Sequence, residues 1–249
     1  MSENRVKGFY FIFIILVLWQ VAADLKIINI LILPSPINVA RSFFSMLISG
    51  PLLKDILSSI KRVLVGFLFA CLVGVPAGII LGWNKRLSPY FLTTIEFIRP
   101  IPPIAWIPLA ILWFGISDAS SYFITTIACF FPIFTNAFFG ARSVEVVHVN
   151  AAMSLGADRR LIIKDVVIPS VLPFIVTGMR VGLGVGWMSV IAAELIAAQS
   201  GLGYMIQLHR LLLETQKVIA GMAAIGLIGY IMNLSIVYLQ HKLIQWKKI

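Results

Sequence analysis

The chain reads as an all-α, polytopic membrane protein with six transmembrane helices and a short helix-turn-helix elbow between the fourth and fifth. Three observations predict this. Hydrophobic residues make up 60% of the 249 and charged residues 12%, with a mean hydropathy of +0.99, a balance that a water-soluble domain rarely shows. The apolar residues gather into six stretches that meet or approach the roughly 20 helical residues needed to cross a hydrocarbon core about 30 Å thick. No tandem repeat, low-complexity tract or long polar linker separates them, so residues 1–249 form one domain. The formal charge of +10 does not point to nucleic acid. Its basic residues lie between the spans and at the end, as Lys242, Lys247 and Lys248 do, where lipid headgroups attract them. Cys71 and Cys129 lie inside apolar runs and suggest neither a disulfide nor a metal site.

The first span covers residues 8–23. Arg5 and Lys7 before it, and the basic tail at 241–249 after the sixth, favour a cytoplasmic side for both termini. A basic start followed by Val21-Ala22-Ala23 also fits a secretory signal, which would remove one helix without changing the class of protein. In residues 24–62, Pro34 and Pro36 break any helix, and 38–49 and 52–62 read as short amphipathic helices at the outer surface. Lys61 and Arg62 then fall in an outer loop and run against the positive-inside rule.

The second span, 63–83, carries Gly74, Gly78 and Gly82 at four-residue spacing, a face on which another helix can approach closely. Pro76 in this span, Pro100, Pro102, Pro103 and Pro108 in the third (100–116), and Pro132 in the fourth (121–141) bend or break the backbone. The carbonyls they free are tolerated only against protein or a wet cavity. Just before the third span, Glu96 and Arg99 are three residues apart and can pair locally at the cytoplasmic mouth, as a structural or gating contact.

Residues 143–169 form the elbow. Ser143 can cap a first short helix, Gly156 can supply the positive φ that ends it, and Asp158 can cap a second that stops at Pro169. In that second helix Ile162, Ile163, Val166 and Val167 share one face and Arg160 and Lys164 another, as suits an element at the surface of a bundle. Small Ala151 and Ala152 would let a partner protein approach the backbone.

The fifth span, 171–198, has the one polar pattern that suggests a passage. Arg180, Trp187 and Glu194 recur every seven residues and fall within about 40° of one another around the helix, while Gly178, Gly182 and Gly186 occupy the opposite side. Arg180 either attracts an anionic solute or forms a buried pair, with Glu96 as a partner. Glu194, towards the outer end, suits a gate or docking contact better than an anion ligand. Trp187 either packs or touches solute, and Met188 and Ser189 are further candidates. The sixth span covers 218–240.

At the elbow the chain resembles the permease subunits of ABC importers. Their loop carries Glu-Ala-Ala, a glycine four residues after the last alanine, and a later apolar-x-apolar-Pro; here the match is Asn150-Ala151-Ala152, Gly156 and Val166-Val167-Ile168-Pro169, with Asn150 in place of the glutamate. Further matches extend over nearly the whole chain and are similar to the branch that imports nitrate, sulfonates and taurine. These are Leu33-Pro34-Ser35-Pro36, the run Arg62 to Phe67, Glu96 to Pro103, Pro108 to Gly115, and Ala192-Ala193-Glu194-Leu195. The resemblance implies that 63–240 is the core permease unit of a bacterial inner-membrane importer. It also implies a homodimer of this chain, two ATPase subunits, an external solute-binding protein and no cofactor. Asn150, Ala151, Ala152, Gly156, Ala157 and Pro169 then form the coupling elbow. Consistent with that division, no Gly-x-x-x-x-Gly-Lys-Ser/Thr phosphate loop occurs in the sequence. Arg180 tilts the solute towards an anion, with a neutral vitamin or pyrimidine precursor as the alternative. A stand-alone secondary transporter or an intramembrane enzyme fits less well, since His148, His209 and His241 lie far apart and no catalytic motif joins them.

Overall fold

A computed structural model describes residues 2–25, 29 and 32–244, with side chains for residues 10, 13–25, 29 and 32–244. The side chains of Arg5 and Lys7, and Lys247 and Lys248, lie outside the described residues. Every regular element among the described residues is helical. In chain order these are α1 (Ser2–Asp24), α2 (Pro36–Ile48), α3 (Pro51–Trp83), α4 (Ser88–Ile98), a 3₁₀ turn (Pro103–Trp106), α5 (Ile107–Phe114) and α6 (Asp118–Arg142). There follow α7 (Val146–Ser154), α8 (Arg159–Ile162), a π-helical turn (Ile163–Val167), α9 (Ile168–Ala197), α10 (Leu202–Leu211) and α11 (Thr215–Leu243).

Four described helical segments are long and apolar enough to cross a membrane, namely α3, α6, Arg159–Ala197 and α11, and a fifth is possible only if a bent pair counts as one span. That pair is α4 with Pro103–Phe114, bent by 86°, so the third expected span is not a single helix. The prolines explain the break: Pro100, Pro102 and Pro103 cannot donate the hydrogen bonds that would carry α4 onward. The first expected span lies in α1, whose described apolar part, Phe13–Asp24, is shorter than a crossing helix.

Residues 52–62 are a second correction. They do not form a separate surface helix. Gly50 (φ +95°) turns the chain, Pro51 opens α3 at its first turn, and no breaker follows until Pro76, so α3 runs unbroken for 33 residues. Arg62 therefore lies within this helix and is buried. At α2 the expected start is close, with Pro36 in the first turn and Ser35 accepting from the Asn38 amide at 3.4 Å.

The core is a three-helix stack of α3, α6 and α9. Small residues let the backbones close up: a Cβ on Gly78 of α3 would stand 2.7 Å from Ala137 Cβ of α6, and one on Gly182 of α9 would stand 3.0 Å from Ile133. Phe130, Phe134 and Phe138 stack in succession along α6. The turn between α10 and α11 carries Glu214, which accepts from Lys217 at 2.9 Å and meets His209. Those two partners, Lys217 foremost, hold the Glu214 carboxyl below the ordinary glutamate range.

Candidate functional site

α9 is the axis on which the candidate residues are arranged. Its 30 residues span about 45 Å, so Ile168 and Glu194 belong to opposite ends of the bundle.

At the Glu194 end the helices are tied by a buried knot of charge. Arg62 of α3 is 4% exposed and Glu194 of α9 is 1% exposed. The Arg62 guanidinium makes five contacts for its five N–H groups. Nη1 donates to Glu194 Oε1 at 2.8 Å and to the Ser200 carbonyl at 2.6 Å, Nη2 to Ser200 Oγ at 2.8 Å, and Nε to Asp118 Oδ1 at 2.8 Å; Nη2 also lies 2.7 Å from Asp118 Oδ1. Glu194 in turn accepts from Ser59 Oγ at 2.7 Å and from the Gly203 amide at 3.0 Å. Three successive amides at the start of α10 are thereby satisfied from other helices: Gly201 by Asp55 at 2.8 Å, Leu202 by Ser59 Oγ at 2.9 Å, and Gly203 by Glu194. Gly201 has φ +105°, and a Cβ there would collide with the Glu194 carboxylate. A carboxylate this deep is tolerable because both of its oxygens accept hydrogen bonds, one of them from a guanidinium.

The three faces of α9 have separate duties. Gly178, Gly182 and Gly186 pack on α6, as the spacing predicts. The face expected to look into a passage is instead largely covered. Trp187 is 6% exposed and donates from Nε1 to the Ile225 carbonyl of α11 at 3.1 Å, Ser189 is buried and bonds back to Val185 at 2.8 Å, and Glu194 is locked in the knot. Arg180 is exposed, yet its partner is Asn233 of α11 at 2.9 Å and not Glu96. Glu96 and Arg99 are both exposed, and among the described residues they form no ion pair with each other. Thr177, Val181, Gly184 and Met188 are the exposed residues that run along one stripe of α9, at spacings of four, three and four.

At the other end of α9 lies the segment 143–169. Ser143 closes α6 and does not open α7: its amide bonds to Phe139 and its hydroxyl to the Gly140 carbonyl at 2.9 Å, while Glu145 takes the cap position of α7. α7 ends as its glycine suggests. Gly156 has φ +84° and the Ala157 amide returns to the Ala152 carbonyl at 3.0 Å. Asp158 then accepts from the Leu161 amide at 2.8 Å and opens α8. Pro169 is not a terminator. α8 passes through the π-helical turn directly into α9, with Pro169 in the first turn of α9, because the extra residue of a π turn absorbs both the ring and the missing donor. Val149, Ala152, Ala157 and Val166 pack on Ala137, Ala141, Val167 and Val171. On the outward side Val146, Val147, Met153 and Leu155 are 65%, 71%, 52% and 89% exposed, and Asn150 and Ala151 are exposed beside them.

The knot was the part that sequence reasoning missed. Part of a signal is there: a glutamate inside an apolar span calls for a partner, and Arg62, with Lys61, is a basic residue that runs against the loop charge rule.

The sequence profile of the family described as "Binding-protein-dependent transport system inner membrane component" matches residues 74–248. The taurine transport system permease protein TauC of Escherichia coli (strain K12) is 38% identical over 240 residues, covering 94% of this chain and 86% of TauC. The nitrate import permease protein NrtB of Synechococcus elongatus is 31% identical over 203 residues, covering 78% and 72%. A chain of the inward-facing MetNI methionine ABC transporter has the same fold, with a TM-score of 0.68 over 77% of this chain and 95% of that one at 16% identity.

Proposed function

Since the chain belongs to the family of inner-membrane components of binding-protein-dependent transport systems, as an ABC importer permease in the nitrate, sulfonate and taurine branch, we propose that it carries a small anionic solute of that type inward. Two copies of the chain would enclose the passage, separate ATPase subunits would drive it, and an external solute-binding protein would deliver the solute. Counting α1 as the first of six crossings, both termini and α7–α8 face the cytoplasm of a bacterial cell, and the Arg62–Glu194 knot faces outward.

The observation that carries this reading is the build of α7–α8. It presents four exposed apolar side chains, Val146, Val147, Met153 and Leu155, on an element that is packed on the bundle and continuous with α9. An exposed apolar patch of this kind marks a protein contact. A push on it moves a helix about 45 Å long as a rigid body. Asn150, Ala151, Ala152, Gly156 and Ala157 shape that contact, and Pro169 lies at the junction with α9. The exposed stripe of α9, with Met188 on it and Arg180 beside it, borders the passage. Trp187, Ser189 and Glu194 support it from within.

The test is reconstitution of the chain with the ATPase and binding protein that co-purify with it, in proteoliposomes loaded with ATP. Taurine or nitrate uptake that requires both ATP and the binding protein is expected. Uptake by the chain alone under an ion gradient would sink the proposal.

A further inference from the structure

The bend between α4 and α5 holds a cation, Arg99, that forms no ion pair among the described residues. A recess of about 260 Å³ opens there, lined by Arg99, Phe131, Thr135, Asn136, Val181 and Val185 among others. Arg99 caps the C-terminal end of α4, where the chain turns by 86° towards Pro103–Phe114. It is exposed, and among the described residues no carboxylate lies within ion-pair distance of it. The other arginines near the bundle interior are occupied: Arg62 by Glu194 and Asp118, and Arg180 by Asn233. A guanidinium at membrane depth with neither water nor a partner is costly, so a wet recess or a ligand is what makes its position tenable.

Each of the neighbouring polar groups has an N–H or O–H to donate. Asn136 must present its amide nitrogen to the Pro132 carbonyl, 2.9 Å away, because a carbonyl can only accept. That leaves its second N–H. The Thr135 hydroxyl makes no hydrogen bond to the described protein, and no Asp or Glu lines the recess. The rest of the lining, Phe131, Pro132, Val181 and Val185, is apolar and lowers the local dielectric, which strengthens every charge-dipole contact inside. The recess lies alongside the exposed stripe of α9, since Val181 belongs to both.

We infer that this recess is the solute-selecting station of the passage, where Arg99 receives the oxyanion head of the solute and Thr135 and Asn136 donate to it. The assignment rests on the importer reading above and moves its anion site from Arg180 to Arg99. A planar guanidinium meets a sulfonate, nitrate or sulfate head with two parallel N–H groups, a fit that a lysine cannot reproduce. The volume is below the range usual for drug-sized ligands, so selection falls on small solutes.

The assembled importer, in proteoliposomes with labelled taurine as the probe, provides the first test. R99Q is expected to co-purify with the ATPase as the unaltered chain does, yet to lower uptake by about tenfold, with R99K intermediate. An R99Q assembly that imports taurine at the unaltered rate overturns the assignment. Loss of ATPase co-purification in the unaltered chain would instead count against the importer reading, so the two failures are distinguishable. A second measurement does not depend on R99Q transport or on taurine being the solute. In a C71A/C129A background, T135C is expected to react with an anionic methanethiosulfonate reagent about tenfold faster, relative to a cationic one, than the same change does when combined with R99Q. Sulfate is expected to slow that reaction. Equal anion preference with and without Arg99 overturns the inference.

Discussion

The two ends of α9 are built on opposite terms. At one end Glu194 is 1% exposed, and its oxygens, the Arg62 guanidinium and three α10 amides are matched by partners from α3, α6, α9 and the α9–α10 turn. At the other end α7–α8 leaves Leu155 89% exposed and Val147 71% exposed, with nothing among the described residues to cover them. Polar groups closed upon one another tie the helices together, whereas the apolar groups left open are, in the proposed reading, the surface that meets another protein. At these two ends of α9 the difference points the charged residues to architecture and, on the proposed reading, the apolar ones to contact, the reverse of what their chemistry suggests when they are read singly.

The comparison can be broken most directly at the knot. Glu194→Ala removes the partner of a buried guanidinium, and removal of one member of a buried pair costs about 3 to 5 kcal/mol. A fall of that size is expected in denaturant or thermal unfolding of the detergent-solubilised protein. Unfolding unchanged by this substitution would mean that the knot contributes nothing. Arg62→Met together with Glu194→Leu is expected to recover part of the loss, because no uncompensated charge stays buried, while the Gly203 amide and the Ser59 hydroxyl still lose their acceptor.

A smaller effect is expected at Gly156. Nothing lies within 4 Å of a Cβ built there, so the cost of a side chain comes from φ +84° alone. Gly156→Val should therefore cost about 1 to 2 kcal/mol and Gly156→Asn less. The ranking is read from melting temperatures of the two variants, and equal values would show that backbone conformation does not govern this turn.

The smallest effect concerns acid. Glu214, held low by Lys217 and His209, lends stability that is fully present above its ordinary pKa and is lost as pH falls through the lowered one. Glu214→Gln should narrow the difference between melting temperatures measured near pH 6 and near pH 3. The opposite change would contradict the assignment. The group is partly exposed to solvent, so the shift is modest.

How much of this was legible in the sequence depends on whether a signal is local. Gly156, Asp158 and the glycine faces of α3 and α9 act through their own turn or their own spacing, and the structure places them as the pattern indicates. The pattern places the cap two residues early, at Ser143 and not Glu145, because several polar residues there can each cap a helix. Pro169 looks like a stop because a proline taken alone does; the π turn that accommodates it is not visible in the local pattern. Arg62 looks like a loop residue in the sequence because the amphipathic residues 52–62 lower the local hydropathy, although no breaker interrupts the helix. Its partnership with Glu194, 132 residues later, is a tertiary fact that no local pattern contains. The covered face of Trp187 is of the same kind: periodicity shows that residues share a face, and only packing by α11 shows what that face meets.

The central claim, that the Glu194 end holds the fold and the α7–α8 end engages the ATPase, is tested by one paired measurement on Leu155→Asp. Placed in the open, this change should leave the melting temperature of the chain within the scatter expected for a surface substitution, about 0.5 kcal/mol. In the same preparation it should abolish co-purification of the ATPase. Intact co-purification, or a fall in stability as large as that of Glu194→Ala, would contradict the account.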